Sequence, residues 1–339
     1  MVQLLDVTLR DGGYINQFNF SIEEAKKIVS GLHKSRVDWI EVGYRNGPAK
    51  GSAGLGITAE TNDAYIKALR EHSPNANLVV MLHPHNVNSD DIHALYSLGV
   101  SLVRICIRKD HLEEALETIR ECKKNSLKIS ANFVRITNFT NEQITDMALM
   151  AEAAGADLIY FADSNGNLLP ENVRTLTTSL KSVLKVQIGF HAHNNLSLGL
   201  ANTIAALESG IDWLDSSLRG IGRSGGNLAT EVFISYLERY YGFPKYKLIE
   251  VMDIAEYVQD KILISGNYLT PQIKDILLGM MNFSTDLMQP IMDSAKENRI
   301  YWKELMYELS KRNPNMVTNK EITEVANIIK KNKREFQHL

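Results

Sequence analysis

The stretch "VQIGFHAHNNLSLGLANTIAALESGIDWLDSSLRGIG", Val186–Gly222, holds the pattern from which the fold is read. Val186–His193 is a short β-rich run. Leu196–Gly210 carries apolar residues at helical spacing, and Trp213–Gly222 returns to strand character. Strand, helix, strand in that order is a parallel crossover unit, because parallel neighbours need a long connection.

The same alternation extends back to the N-terminus. The strand-like runs are "QLLDVTL", "VDWIEVGY", "NLVVMLHP", "LVRICI", "KISANFVRI", "DLIYFADS", "VQIGFHAH" and "WLDSSLRGIG". Helical stretches such as "SIEEAKKIVSGLHKS", "HLEEALETIRECKKN" and "NEQITDMALMAEAAG" lie between them. Ser21 with Glu24 reads as a capping box, Asn141 opens the third of these helices, and Gly155 stands where a C-terminal cap belongs. Eight strand–helix units predict an α/β fold, a (β/α)8 TIM barrel of about 240 residues. A doubly wound sheet is the competitor, but no G-x-G-x-x-G follows the first run. After Gly242 the pattern is helical only, which divides the chain into a barrel catalytic domain, 1–241, and a C-terminal helical domain, 242–339. The apolar stripes of the tail are expected to pack on the barrel or a second subunit, and its basic end "KKNKREF" to be a solvated face.

The bulk numbers narrow the partners. The chain of 339 residues has a net charge of −3, with 44% hydrophobic and 23% charged residues. That near-neutral balance offers no electrostatic footprint for nucleic acid or an anionic membrane, which leaves small molecules or another protein. Cys106 and Cys122 are too few for a disulfide scaffold, and Cys106 sits in an apolar run. No basic-then-apolar leader opens the sequence and no segment approaches the roughly 20 apolar residues of a membrane span, so a cytoplasmic protein is expected.

In a barrel of this kind, reactive residues gather at the C-terminal ends of the strands. There the sequence places Arg10-Asp11, then Glu41, His83-Pro84-His85, Asp163-Ser164 and His191-Ala192-His193; "GIGRSGGN", ending at Asn227, follows the eighth run. Alternate strand residues point the same way, so His191 and His193 project together. Asp11 can reach them because the first and seventh strands lie close together in a closed eight-strand barrel. Two imidazoles and a carboxylate form a facial set for a divalent cation. The glycine-rich stretch alone could mark only a tight turn or a phosphate cradle.

"TLRDG" at the first strand, Glu41 at the second, "HAHNN" and "GIGRSGGNLATEV" together resemble the DRE-TIM metallolyases, the superfamily of HMG-CoA lyase, isopropylmalate and homocitrate synthases and 4-hydroxy-2-oxovalerate aldolase. The similarity spans the barrel and is closest to the aldolase branch. It implies that Asp11, His191, His193 and Asn227 hold a divalent metal, Mn2+ or Mg2+ ahead of Co2+ or Zn2+, which would chelate a 2-oxo acid. It further implies that Arg10 faces the enolate oxygen, that Ser164 binds the substrate carboxylate, and that Glu41 orients Arg10. The partners implied are a small 2-oxo acid, an aldehyde, further copies of the chain, and an aldehyde dehydrogenase of the kind those aldolases dock.

Two positions depart from the aldolase pattern. Tyr14 stands where that branch has an acid/base histidine, and "LGMMNFSTDL" lacks its tyrosines. Tyr14 is expected to contact the aldehyde as a proton donor or to pack as a lid, and His83 is a substitute base. Arg45 and Asn46, after Glu41, are candidates for reading a polar substrate tail. HMG-CoA lyase chemistry is disfavoured, because the loop holds no cysteine. A Claisen-type acyltransferase and a non-catalytic partner-binding homologue are the alternatives.

Overall fold

The computed structural model describes residues 2–242, 245–263, 271–312 and 317–336, with 109 and 332–336 described by backbone only. The expectation for "KKNKREF" therefore falls largely outside the described side chains. Eight parallel strands close into one barrel in sequence order. They are β1 Gln3–Asp6, β2 Trp39–Arg45, β3 Leu78–Leu82, β4 Leu102–Ile107, β5 Ile129–Phe133, β6 Leu158–Asp163, β7 Gln187–Ala192 and β8 Trp213–Ser216. Each matches one of the eight runs read from the sequence. Closure is made by β1 against β8, with Leu5 opposite Asp215 and Asp6 opposite Ser216.

The helices form because one face of each is apolar and can cover the sheet. Ile22–Lys34 buries Ala25, Ile28, Val29 and Leu32, which recur at helical spacing. Its start is fixed by Ser21 and Glu24: the Glu24 N–H donates to Ser21 Oγ at 3.2 Å and the Ser21 N–H to Glu24 Oε2 at 2.7 Å. Losing such a cap costs about 1 kcal/mol. Asn141–Ala154 begins at Asn141 as expected, but the capping side chain is Thr140, paired with Gln143.

Inside the barrel, Leu5, Val7, Val79, Leu102, Leu158, Tyr160 and Trp213 form an apolar cluster. The outer core continues into the tail: Leu248–Lys261 contributes Val251, Ile254, Ala255 and Val258 to it. Ile254 lies so close to Gly31 that a β-carbon there would meet it at 2.6 Å. From Leu278 onward a separate small core forms, with Phe283, Ile291, Leu305, Leu309, Ile322 and Val325. Among the described residues no helix is long and apolar enough to cross a membrane.

The segment 272–288 lies over the mouth of the barrel. Asn282 Oδ1 accepts from Asn165 Nδ2 at 2.8 Å and Thr137 Oγ1 at 2.7 Å, Asn167 Nδ2 donates to the Gly279 carbonyl at 2.7 Å, and Asn195 Nδ2 to the Asp275 carbonyl at 3.0 Å. These bonds tie the tail to the loops after β5, β6 and β7.

Candidate active site

Asp11, His191 and His193 converge at the C-terminal end of the barrel, all buried, with one donor atom from each lying within 4.8 Å of the others. The orientation of the imidazoles follows from their partners. His191 Nδ1 lies 2.9 Å from Asp215 Oδ2 and His193 Nδ1 lies 3.1 Å from the Gly226 carbonyl. Both acceptors take an N–H from Nδ1, which directs Nε2 of each ring into the cluster. The two Nε2 atoms face each other at 3.3 Å. Burial lowers the His193 pKa to about 4 against the pull of Asp11, so the ring is neutral at pH 7. Two imidazole nitrogens brought this close beside the Asp11 carboxylate are placed to share one cation.

Asn227 completes the set. Its Nδ2 donates to Asp11 Oδ2 at 3.0 Å and to the Ile221 carbonyl at 3.1 Å, while its buried Oδ1 has no partner. A buried acceptor left unpaired costs on the order of 1–3 kcal/mol, and a cation would remove that cost. Gly222 keeps the space open: a β-carbon there would come within 2.7 Å of Asp11 Oδ2 and 2.4 Å of Asn227 Nδ2. Gly226, at φ +81°, takes the left-handed turn that aims its carbonyl at His193. The donor chemistry of these four residues fits a divalent metal.

Arg10 lies beside this cluster. Its Nε donates to Glu41 Oε2 at 2.7 Å and its Nη1 to Asp11 Oδ1 at 2.5 Å. Nη2 has no partner among the described residues, so it remains for a substrate oxygen. Burial works against ionisation of Asp11, but Arg10 and the two histidines outweigh it and hold the carboxyl well below the usual range.

Sequence reasoning missed the residues beneath. Arg104 on β4, wholly buried, donates from Nη1 to Glu41 Oε2 at 3.1 Å and from Nη2 to Asp215 Oδ2 at 2.7 Å. Arg10, Glu41, Arg104, Asp215 and His191 thus form one continuous buried chain of alternating charge. It links the free guanidinium nitrogen to the imidazole and fixes the His191 tautomer. A lone arginine in "LVRICI" was the available signal, since a charge in a buried strand needs partners.

The remaining expectations divide. Tyr14, 38% exposed at the mouth, brings its hydroxyl within 3.4 Å of that of Tyr44, whose ring lies 5.8 Å from the Arg10 guanidinium. Burial raises the Tyr14 pKa above its ordinary value, so the phenol is a proton donor at neutral pH. Tyr44, a second phenol here, was also missed. His83 stacks on Tyr44 at 5.5 Å, and burial, with His85 and Arg10 adding, pushes its pKa down to about 3. Such an imidazole stays neutral and holds a proton weakly. Ser164 Oγ accepts the Arg135 N–H at 2.8 Å, leaving its own O–H to donate.

Arg45 and Asn46, expected to read a polar substrate tail, have their donors engaged within the protein. Arg45 is buried, donating to Asp91 Oδ1 at 2.9 Å, Asp63 Oδ1 at 2.7 Å and the Thr61 carbonyl at 3.1 Å. Asn46 donates to the Asn86 carbonyl and Asp91 Oδ2 at 3.0 and 2.9 Å. Their donors anchor the loop after β2, and the acids that neutralise Arg45 lie 18 and 46 residues further along the chain.

A closed barrel with paired histidines, an aspartate and an arginine at its mouth defines the class, and comparison with known proteins agrees. The HMGL-like family profile matches residues 1–258, and the chain belongs to that family. Among curated relatives, it is 32% identical over 311 residues to the 4-hydroxy-2-oxovalerate aldolase of Chloroflexus aurantiacus, covering 91% of this chain and 90% of that one. It is 34% identical over 262 residues to the enzyme of the same name from Roseiflexus castenholzii, covering 77% and 78%. The crystal structure of Bacillus subtilis HMG-CoA lyase shares the fold, with a TM-score of 0.67 at 19% identity over 80% of this chain and 95% of that one.

Proposed function

We propose that the protein is a divalent-metal-dependent aldolase, related to 4-hydroxy-2-oxovalerate aldolase, which makes or breaks a carbon–carbon bond next to the enolate of a pyruvate-type 2-oxo acid. The observation that carries the reading is the convergence of the His191 and His193 Nε2 atoms, the Asp11 carboxylate and the unpaired Asn227 Oδ1 beside the free Nη2 of Arg10. Carboxylate, amide and imidazole donors suit Mn2+ or Mg2+. When bound, such an ion supplies Lewis acidity that draws electron density from the keto group of the 2-oxo acid.

The chain's own residues do the rest. Arg10 presents a fixed positive charge where the enolate oxygen develops, and Glu41 with Arg104 prevents it from turning away. The Ser164 hydroxyl donates to the substrate carboxylate. Tyr14, backed by Tyr44, gives its proton to the alkoxide formed when the enolate carbon adds to the aldehyde, and solvent restores that proton. The tail segment 272–288 limits water entry over the mouth. The resemblance to the aldolase branch further implies an oligomer of this chain in the cytoplasm that passes aldehyde to or from an aldehyde dehydrogenase.

Metal analysis tests the site directly. The wild-type protein, loaded with Mn2+ and desalted, should retain close to one ion per chain, and His191→Ala/His193→Ala should retain almost none while keeping its circular dichroism spectrum. Full retention by the double variant would remove the basis of the reading.

A further inference from the structure

The mouth of the barrel opens into a cavity of about 900 Å3, walled by the loops after β1, β2, β4, β5 and β8 and by the tail. Pockets of roughly 300–1,000 Å3 hold drug-sized ligands, so pyruvate and a two-carbon aldehyde would leave most of this space empty. The wall is also strongly charged. Lys50, Arg108, Arg135, Arg223 and Lys274 line it, against two acids, Asp275 and Asp286, in a chain whose overall net charge is −3.

The acids do not neutralise the wall. Arg135 donates to Asp286 Oδ2 at 2.5 Å and Arg223 lies 3.3 Å from Asp286 Oδ1, so one carboxylate serves two guanidiniums. Asp275 is buried, accepting from the Gln272 N–H at 3.0 Å and from Ser224 Oγ at 3.3 Å. Among the described residues Arg108 pairs only with Asp110, 38% and 55% exposed, which is a weakly held contact. Lys50 and Lys274 make no ion pair within 4.0 Å among the described residues, and Lys50 adds only a longer-range attraction to the Asp286 carboxylate that two guanidiniums already share. Three cations therefore face the cavity with little to hold them, while the pyruvate carboxylate and enolate are already provided for by Ser164 and Arg10.

We propose that the aldehyde partner carries a terminal anion, a carboxylate or a phosphate, which the Lys50, Arg108 and Lys274 side chains lining the cavity bind. This rests on the aldolase reading and names its substrate class. The reaction balances without a further reactant: the pyruvate methyl carbon loses a proton and bonds to the aldehyde carbon, whose oxygen gains a proton. The anionic tail takes no part in the chemistry and sets only which aldehyde is held.

The test uses matched aldehydes with pyruvate and the metal-loaded full-length enzyme: succinic semialdehyde against butanal, and glyceraldehyde 3-phosphate against glyceraldehyde. The expected result is a kcat/KM at least about tenfold higher for the charged member of one pair, which also tells carboxylate from phosphate. In Arg108→Gln and Lys274→Gln that charged-to-neutral ratio should fall about three- to tenfold, and raising the salt concentration should lower it in the wild type. Equal kcat/KM within both pairs, or a ratio unmoved in both variants, overturns the inference. Pyruvate methyl exchange with solvent deuterium is followed alongside. Exchange with no charge preference sinks this inference alone, whereas absence of both exchange and condensation sinks the aldolase reading and this inference with it.

Discussion

Replacing Arg104 by methionine tests whether the buried charge chain holds the site together. The guanidinium is fully enclosed, bonded to Glu41 and Asp215, and stacked 4.3 Å from the Tyr160 ring. Methionine preserves much of the volume but leaves Glu41 with Arg10 alone and Asp215 with His191 alone. Removing one partner of a buried ion pair costs about 3–5 kcal/mol, because the abandoned charge stays desolvated. For a chain of 339 residues, an unfolding entropy of about 2.1 cal/mol/K per residue gives roughly 0.7 kcal/mol per degree. The melting temperature should therefore fall by about 4–7 °C in scanning calorimetry. Because Asp215 fixes the His191 tautomer, metal affinity should fall about 10- to 100-fold in the same protein. A melting point within a degree of wild type, with unchanged metal affinity, would show that Arg104 does not join the two halves of the site.

Arg10→Lys keeps the charge but loses the planar fork that reaches Glu41 and Asp11 together; kcat should fall on the order of 100-fold with a modest change in KM, and a near-normal kcat would make Arg10 structural. Tyr14→Phe should leave pyruvate proton exchange in place while slowing aldol addition about tenfold or more, and equal rates for both steps would reduce Tyr14 to packing. Asp6, buried against Thr8 and Thr230, has its pKa pushed up to about 6 by desolvation. The folded state thus holds that proton harder than the unfolded chain, so its stabilising contribution is complete below about pH 4 and lost as the pH rises through 6. Relative to wild type, Asp6→Asn should gain on the order of 3 kcal/mol between pH 4 and pH 7, and a pH-independent difference in denaturant titrations would refute the assignment.

Much of this molecule is written locally. Strand and helix periods, the Ser21 cap and the H-x-H spacing each need only a few neighbouring residues, and the barrel and the Asp11–His191–His193 cluster follow from them. Closure of β1 on β8 carries the first strand's aspartate to the last strands' histidines, and that closure is a property of the fold class. What escaped the reading depends on partners far apart in sequence. Arg104 meets Glu41 and Asp215 at separations of 63 and 111 residues, which appear only once strand register is set. Arg45 looked available because the carboxylates that neutralise it belong to other segments. His83 looked like a base because its type suggests one, yet burial and neighbouring cations decide its proton affinity. The charged cavity wall draws on five loops and the tail, so no single stretch displays it.

The most direct test of a metal-dependent pyruvate enolate is the pyruvate methyl signal followed by proton NMR in deuterated water with the magnesium-loaded enzyme. The signal should disappear in a catalysed exchange that stops on chelation and falls at least about 100-fold in His191→Ala/His193→Ala. Exchange at the same rate after the metal is stripped, or none with Mg2+, Mn2+, Co2+ or Zn2+, would contradict the assignment of this site to enolate chemistry.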